Sequence, residues 1–232
     1  MGKLSIFDQV KKEDRFILTE FESKRILKQV GISVVETKLA KTKKEAVSLS
    51  QKMGFPVALK ITSPDVIHKS DSGGVKLSLN NGTEVRKAYD EILKKVRKQY
   101  PDAVIHGVSV QKMIRPGTEV IVGTSKDSQF GPVIMFGLGG IFVELLKDVS
   151  FRVIPVERRD AQEMIKEIKG YPLLQGYRGK EPANISALVE IILKISKLIE
   201  ENPQIKELEL NPIFAFGDKA VAVDARIILE KG

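Results

Sequence analysis

PVALKITSPDVIHKSDSGGVKLSL, residues 56–79, predicts a strand, a loop and a second strand. The apolar run PVALKI carries a single lysine, Lys60, and the segment VKLSL alternates as a strand with one exposed face does. Between them lie turn-forming residues and groups that can bind or carry phosphate, including His68, Asp71 and two glycines. We therefore interpret the rest of the chain as a frame for this loop.

The composition bounds the class of protein. With 232 residues and 42% apolar content, the chain can form one large domain or two small lobes around a shared cleft. No apolar run reaches the length of a membrane span, and residues 1–16 lack the apolar core of a signal peptide. We expect a cytoplasmic protein with no membrane partner. The absence of cysteine excludes disulfides, thiolate metal sites and a cysteine nucleophile.

The net charge of +8 raises the question of a polyanionic partner. The lysines are spread through amphipathic segments, however, and only 6% of the residues are aromatic, so the pattern for base stacking is missing. A solvated lysine-rich surface is the favoured interpretation, and no nucleic-acid partner is expected. A nucleotide or another phosphate-bearing small molecule fits the charge equally well.

Element signals along the chain predict a two-lobed α/β or α+β protein. Residues 1–18 are expected to be an extended lead-in, and capping boxes start helices at Thr19 and Thr42. Helices and strands alternate in the first half, whereas antiparallel pairs dominate the second, ending in strands at 205–216 and 219–228. The expected segments are an extension (1–18), an N-terminal lobe (19–108) and a C-terminal lobe (109–232).

Lys60 is the first candidate site residue. A cation in an apolar strand must either point outward or meet an anion, because an unpaired buried charge is costly. A nucleotide phosphate is one such anion, and the exposed face of an edge strand is the alternative. The sequence around Lys60 leaves both interpretations open.

Asn211 and Asp224 are the second candidates, on two strands that a hairpin brings together. A carboxylate and an amide carbonyl are hard oxygen ligands suited to magnesium that also holds nucleotide phosphates. Glu209 points the same way as Asn211 along its strand. The alternative is a surface hairpin with ordinary polar residues, but the apolar residues just before Asp224 place that carboxylate at a cleft.

His68 is one of only two histidines in the chain. Imidazole can be neutral and nucleophilic near neutral pH, and its nitrogen can carry a phosphoryl group. A lone loop histidine is more often a simple surface residue, so residue type alone favours the structural interpretation.

The glycines of Gly137-Leu138-Gly139-Gly140 follow a predicted strand and could either present N–H groups to an anion or form a tight turn. The stretch lacks the full dinucleotide fingerprint and the Lys-Ser/Thr of a P-loop. Ser-His-Asp hydrolase chemistry is unsupported because the sequence has no nucleophile elbow.

Taken together, these segments resemble an ATP-grasp domain, and more narrowly the β-subunit family of ADP-forming acetyl-CoA synthetases. Three stretches carry the resemblance: GFPVALKITSPDVIHKSDSGGVKL, FGPVIMFGLGGIFVELLKDVSFR and ELNPIFAFGDKAVAVDARIIL. The resemblance covers nearly the whole chain, and the histidine loop and the ELNP segment are its most specific parts. It implies an ATP-grasp fold with a nucleotide cleft between the lobes.

The resemblance also implies roles for individual residues. Lys60 would contact the nucleotide phosphates, and Glu119 would assist with the nucleotide. Main-chain groups of one hinge strand would hold adenine: Gln111, Lys112, Met113 and Ile114.

The resemblance also implies the metal ligands and the residue that carries the phosphoryl group. Asn211 and Asp224 match the magnesium ligands of the family, with Glu209 beside them. His68 matches the second phosphohistidine, which would take the phosphoryl group from the partner and pass it to ADP. The implied cofactor is Mg²⁺, with ADP and ATP as substrates.

The implied reaction converts acetyl-CoA, ADP and phosphate into acetate, ATP and CoA, reversibly. A CoA-binding α subunit would supply the CoA site and a first histidine, in a heterotetramer of two α and two β chains. Two alternatives stay open: an isoform that uses branched-chain or aryl acids, and a non-catalytic ATP-sensing regulatory module. Retention of Lys60, His68, Asn211 and Asp224 argues against the regulatory module.

Overall fold

The computed structural model describes residues 5–66, 69–140, 146–179 and 181–231. The chain divides into two compact units: unit 1 comprises Met1–Leu18, Ser23–Val34 and Pro116–Gly232, and unit 2 comprises Thr19–Glu22 and Val35–Arg115. Each unit contains helices and an antiparallel sheet, which confirms the two-lobed mixed fold. The division differs in detail from the expected segments, because most of the N-terminal region joins unit 1 and the strand near residue 110 stays in unit 2.

Unit 2 is built on a sheet whose described strands run in the order β1-β4-β2-β3, all antiparallel. Helices α3 and α4 pack on the sheet. Each helix begins at a side-chain cap: Thr42 and Glu45 form the predicted capping box, and Asn81 caps α4. The bounds of these elements are β1 (Thr37–Ala40), α3 (Lys43–Met53), β2 (Val57–Thr62), β3 (Val75–Leu79), α4 (Gly82–Gln99) and β4 (Gly107–Lys112).

Strand β2 is an interior strand, paired with β4 on one side and with β3 on the other. All six of its residues are buried. Leu59 and Ile61 lie in the hydrophobic core, and the two-residue period of a strand turns Lys60 to the opposite face. The edge-strand interpretation of Lys60 is therefore wrong.

Unit 1 is built on a larger sheet, whose described strands run β10-β8-β5-β6-β7 with β9 also pairing with β8. The described strands of this sheet pair in antiparallel fashion. Its elements are α1 (Ile6–Lys12), α2 (Glu20–Gln29, whose first turn belongs to unit 2), β5 (Thr118–Asp127), β6 (Gly131–Leu138), β7 (Val149–Val153), α5 (Arg158–Glu167), α6 (Tyr171–Leu174), a 3₁₀ turn (Tyr177–Gly179), α7 (Ile185–Glu201), β8 (Ile205–Ala215), β9 (Ala220–Ala222) and β10 (Arg226–Leu229).

One face of the unit 1 sheet packs on helices. Alternate residues such as Val122 and Phe136 lie in a core with Ile192 of α7 and Met164 of α5. None of the described helices has both the length and the apolar composition needed to cross a membrane. The opposite sheet face, which carries the intervening residues of the same strands, bears the polar groups discussed below.

Two predicted elements differ in detail from the structure. The single strand expected at 219–228 is divided into β9 and β10 by residues 223–225. The apolar pattern of residues 104–114 predicts one strand, and the structure has a shorter one, Gly107–Lys112. Residues 141–147 favour neither helix nor strand in the sequence, and most of them lie outside the described residues.

The extended lead-in predicted for residues 1–18 is wrong for Ile6–Lys12, which form helix α1. Ser5 caps this helix, and its side chain and that of Asp8 form a capping box. Ile6 and Val10, four residues apart on one face, are buried in the unit 1 core. The helix has only seven residues, and one pair of apolar residues four positions apart is too short a pattern to predict a helix from the sequence.

Replacing Val10 with alanine tests whether α1 is an integral part of unit 1. Val10 is fully buried, so removing two methyl groups and leaving a cavity should lower the free energy of unfolding by about 2 kcal/mol. Chemical denaturation followed by circular dichroism would measure the change. The neighbouring exposed Gln9→Ala should change stability by less than about 0.5 kcal/mol, and equal effects of the two variants would contradict the packing role.

Candidate functional site

Lys60 meets a carboxylate within unit 2. Its Nζ lies 3.0 Å from Oε1 of Glu20, and the two side chains are only 8% and 4% exposed. A buried ammonium group is stable only where an anion and hydrogen bonds compensate for lost hydration. The expectation that Lys60 needs an anion is thus met by Glu20, while its contact with phosphate stays a prediction.

The same carboxylate binds a second lysine. Lys69 Nζ lies 2.9 Å from Oε2 of Glu20, and the Lys69 side chain is 19% exposed. Glu20 is held in the first turn of α2, where Thr19 and Glu22 form the predicted capping box and the helix dipole favours negative charge.

The contacts of Glu20 with Lys60 and Lys69 were not predicted from the sequence. A glutamate directly after a Thr cap is typical of any helix start, and Glu20 is 40 residues from Lys60 and 49 from Lys69. The available signal was Lys60 itself, because a lysine in an apolar strand needs an anion if it is buried.

His68, the predicted phosphoryl carrier, lies outside the described residues together with Ile67. Both flanks of this pair are fixed. Val66 is 1% exposed, and the preceding Asp65 accepts a hydrogen bond from the Val104 N–H at 2.7 Å. On the other flank, the Lys69 carbonyl oxygen accepts hydrogen bonds from the Gly74 N–H and from the hydroxyl of Ser72 at 2.7 and 2.9 Å.

The predicted adenine strand, residues 111–114, includes the end of β4. The Lys112 N–H donates to the Glu36 carbonyl at 3.0 Å, and the Met113 N–H donates to the Pro56 carbonyl at 3.2 Å. Lys112 Nζ also donates to the carbonyl oxygens of Met53 and Gly54 at the end of α3. Since these donors are engaged within unit 2, adenine would have to meet other main-chain groups of the strand, such as the carbonyl oxygens.

Glu119 is exposed near the start of β5, in unit 1. Its carbonyl accepts a hydrogen bond from the Gly139 N–H at 2.8 Å. A Cβ at Gly139 would lie 3.1 Å from the Glu119 Cβ, and a Cβ at Gly137 would lie 2.9 Å from the Asp148 carbonyl oxygen. These two glycines therefore allow close packing; Gly137 lies within β6, and the Gly139 N–H is already engaged by Glu119.

Asn211 and Asp224 occupy opposed positions in unit 1. Arg226 pairs with Glu209 on one side of them, and Ala222 pairs with Ile213 on the other, with the same register on both sides of residues 223–225, which belong to no strand. The Val223 N–H donates to the Pro212 carbonyl at 2.9 Å between these pairs. The flanking pairs therefore bring the two chain segments that carry the predicted magnesium ligands side by side.

Glu209 lies beside Asn211, whose amide nitrogen donates to Oε1 of Glu209 at 3.2 Å. Toward β5 the register shifts between Val120 and Val122, so that β8 carries one extra residue near Asn211. Such a bulge re-aims side chains and is common next to sites. Asp224 accepts a hydrogen bond from the Ala225 N–H at 2.8 Å, which fixes its carboxylate.

The donor set fits magnesium. Two carboxylates and one amide carbonyl are hard oxygen ligands, and Mg²⁺ usually binds one or two protein carboxylates while phosphate and water complete its octahedron. Within the described ranges, no three His, Cys, Asp or Glu side chains gather into a complete metal site. The residues therefore suit a magnesium ion that is also coordinated by nucleotide phosphates.

A pocket of about 310 Å³ opens on the same sheet face as Glu209. One side of it is apolar and includes Met135 and Phe151, and the other is charged and includes Glu207, Glu209 and Arg226. Arg226 and Glu207 approach to 3.5 Å. Because Glu209 both lines the pocket and contacts Asn211, the pocket adjoins the predicted metal position.

Comparison with known proteins identifies the family of the chain. The ATP-grasp domain family matches residues 9–229. The chain is 54% identical over 224 residues to the acetate–CoA ligase [ADP-forming] I subunit beta of Pyrococcus furiosus, covering 97% of this chain and 96% of the relative.

Solved structures of acetyl-coenzyme A synthetase 1 from Ca. Korarchaeum cryptofilum are also similar. One, in complex with coenzyme A and Ca-AMPCP, has a TM-score of 0.93 and 49% identity, and covers 96% of this chain and 97% of that chain. Another, with coenzyme A and Mg-AMPPCP and a phosphohistidine segment pointing towards the nucleotide binding site, has a TM-score of 0.85 and 45% identity, covering 97% and 98%. Matches of this identity along almost the full length of both chains show that the protein belongs to the ATP-grasp family, among the β subunits of ADP-forming acetate–CoA ligases.

Proposed function

We propose that the chain is the nucleotide-binding β subunit of an ADP-forming acyl-CoA synthetase. With a CoA-binding α subunit, it converts acetyl-CoA, ADP and phosphate into acetate, ATP and CoA, and the reverse. The observation that carries the proposal is the opposed placement of Asn211 and Asp224 beside Glu209. Oxygen donors so arranged bind the magnesium of a nucleotide.

The proposed step of this chain is phosphoryl transfer through His68. The lone pair of a neutral imidazole nitrogen attacks the γ-phosphorus of ATP, an N–P bond forms, and the bond to the β-phosphate oxygen breaks to release ADP. The second ring nitrogen keeps its proton. In the synthetic direction the ADP oxygen attacks the phosphohistidine, and a carrier is needed because direct transfer requires reacting atoms about 3–3.5 Å apart.

Lys60 supplies positive charge for this step. Its ammonium group, held against Glu20 in a buried setting, is proposed to contact the phosphate oxygens on which negative charge is spread during transfer. Bound magnesium would neutralise phosphate charge, held by Asn211 and Asp224 with Glu209 beside them. Glu119 and main-chain groups of residues 111–114 are proposed to hold the ribose and adenine end.

The proposal also covers the partner subunit, the assembly and the cellular location. The homologous β subunit from Pyrococcus furiosus implies a separate α subunit, and we propose an assembly of two α and two β chains in the cytoplasm. Selection of the acid is expected on the α subunit, so an isoform for branched-chain or aryl acids would use the same nucleotide chemistry on this chain.

The carrier role of His68 can be tested with the assembled complex and ATP labelled on the γ-phosphate. Label should appear on His68, and His68→Ala should lose both the label and ATP synthesis, because no other group is proposed to accept the phosphoryl group directly from ATP. His106→Ala, which removes the other histidine, should keep both. Thermal unfolding should shift by less than about 4 °C in the His68 variant, and ATP formation at the wild-type rate by His68→Ala would reject the relay.

The magnesium site can be tested by calorimetric titration of ADP with and without Mg²⁺. For the wild-type chain, Mg²⁺ should strengthen ADP binding at least about tenfold, corresponding to about 1.4 kcal/mol. Asp224→Asn should remove most of this difference, since an amide is a weaker ligand than a carboxylate. Asp218→Asn, at an exposed turn of the same hairpin, serves as the matched control, and an unchanged Mg²⁺ dependence in Asp224→Asn would contradict the assignment.

A further inference from the structure

One buried carboxylate joins the two lysines of unit 2 described above. Each oxygen of Glu20 takes one ammonium group, Lys60 at 3.0 Å and Lys69 at 2.9 Å. Glu20 comes from the first turn of α2, Lys60 from strand β2, and Lys69 from the loop that leads into β3. Three separate segments are therefore joined at a side chain that is 4% exposed.

The geometry of a carboxylate makes this junction specific. Its two oxygens are rigidly spaced, whereas a lysine side chain is a flexible stem carrying a point charge. Held by Glu20 in a buried setting, the two Nζ atoms have defined positions instead of a range of rotamers. A defined position matters at a site for phosphate, because a misplacement of about 1 Å can cost roughly a hundredfold in rate.

Lys69 is fixed through its main chain as well as its side chain. Its carbonyl oxygen accepts the Gly74 N–H and the Ser72 hydroxyl, and the Gly74 carbonyl in turn accepts the N–H of Ile61, next to Lys60. A Cβ at Gly74 would lie 2.6 Å from the side chain of Ile61, so this turn is tightly packed against β2. The chain directly after His68 is therefore anchored both to β2 and to Glu20.

We propose that Glu20 is a positioning residue for phosphoryl transfer, which sets Lys60 for the phosphate and anchors, through Lys69, the chain that carries His68. This inference rests on the proposed function, since it assigns Glu20 to the same transfer. Glu20 itself contacts neither nucleotide nor phosphoryl group in this scheme. Its two contacts have different consequences, and substitutions can separate them.

Lys69→Met removes the anchor but leaves the Glu20–Lys60 pair. It should leave ADP affinity within about twofold of wild type while slowing phosphorylation of His68 by at least about tenfold. Lys69→Arg keeps a cation able to reach Glu20 and should restore the rate to within about threefold. Glu20→Gln disturbs both lysines and should weaken ADP binding and slow phosphorylation, each by at least about tenfold.

The experiment measures two quantities on the full-length chain. Calorimetry with ADP and Mg²⁺ gives the dissociation constant, and labelled ATP followed by quenching gives the rate of phosphohistidine formation. Near-ultraviolet circular dichroism gives the folded fraction, by which each rate is corrected. Glu91→Gln breaks an exposed ion pair with Lys76 elsewhere in unit 2 and should match wild type in both quantities.

The outcomes separate cleanly. Slow labelling with normal ADP affinity in Lys69→Met, rescued by Lys69→Arg, supports the positioning role even if Glu20→Gln fails to fold. Wild-type rates in Lys69→Met, or losses that vanish on correction for the folded fraction, overturn it. If the wild-type chain neither binds ADP nor takes the label at His68, the proposed function itself fails. Failure of the Glu20 inference is distinct, because it appears only in the variants while the wild-type chain still binds ADP and takes the label.

Discussion

A lysine inside a fully buried strand must have an anion beside it. Lys60 satisfies this constraint through Glu20, and the same carboxylate also holds Lys69. Burying these charges costs free energy because they lose their hydration. Removing one partner costs more, because it leaves an unpaired charge in the interior. The first turn of α2, strand β2 and the loop before β3 are therefore fixed relative to one another by electrostatics as well as by packing.

Unit 1 depends on a different constraint, the register of its antiparallel sheet. One face of the strands is committed to the core with α5 and α7, so the polar residues that alternate with the core residues must lie on the other face. That alternation places Glu207 and Glu209 on the open face, beside Arg226 of β10. A local bulge near Asn211 changes the alternation beside one of the predicted metal ligands.

Under the proposed function, each unit would supply different groups for phosphoryl transfer. Unit 2 would supply the buried Lys60 and the chain that carries His68, and unit 1 would supply oxygen donors for a divalent cation. Lysine ammonium groups and magnesium both stabilise the negative charge of the phosphate groups. The histidine is then the only protein nucleophile that the proposed transfer needs. This division explains why neither a P-loop nor a dinucleotide fingerprint is needed in the sequence.

The sequence by itself determined the features that depend on near neighbours. Capping boxes at Thr19 and Thr42 set two helix starts correctly, because their hydrogen bonds span three residues, and the element pattern with the family resemblance led to the two-lobed fold. Only the tertiary structure decided that Lys60 faces Glu20, that β2 is an interior strand, and that residues 6–12 form a packed helix. These features depend on contacts between residues distant in sequence or on burial against other elements. The local sequence pattern does not specify which distant charged residues come into contact.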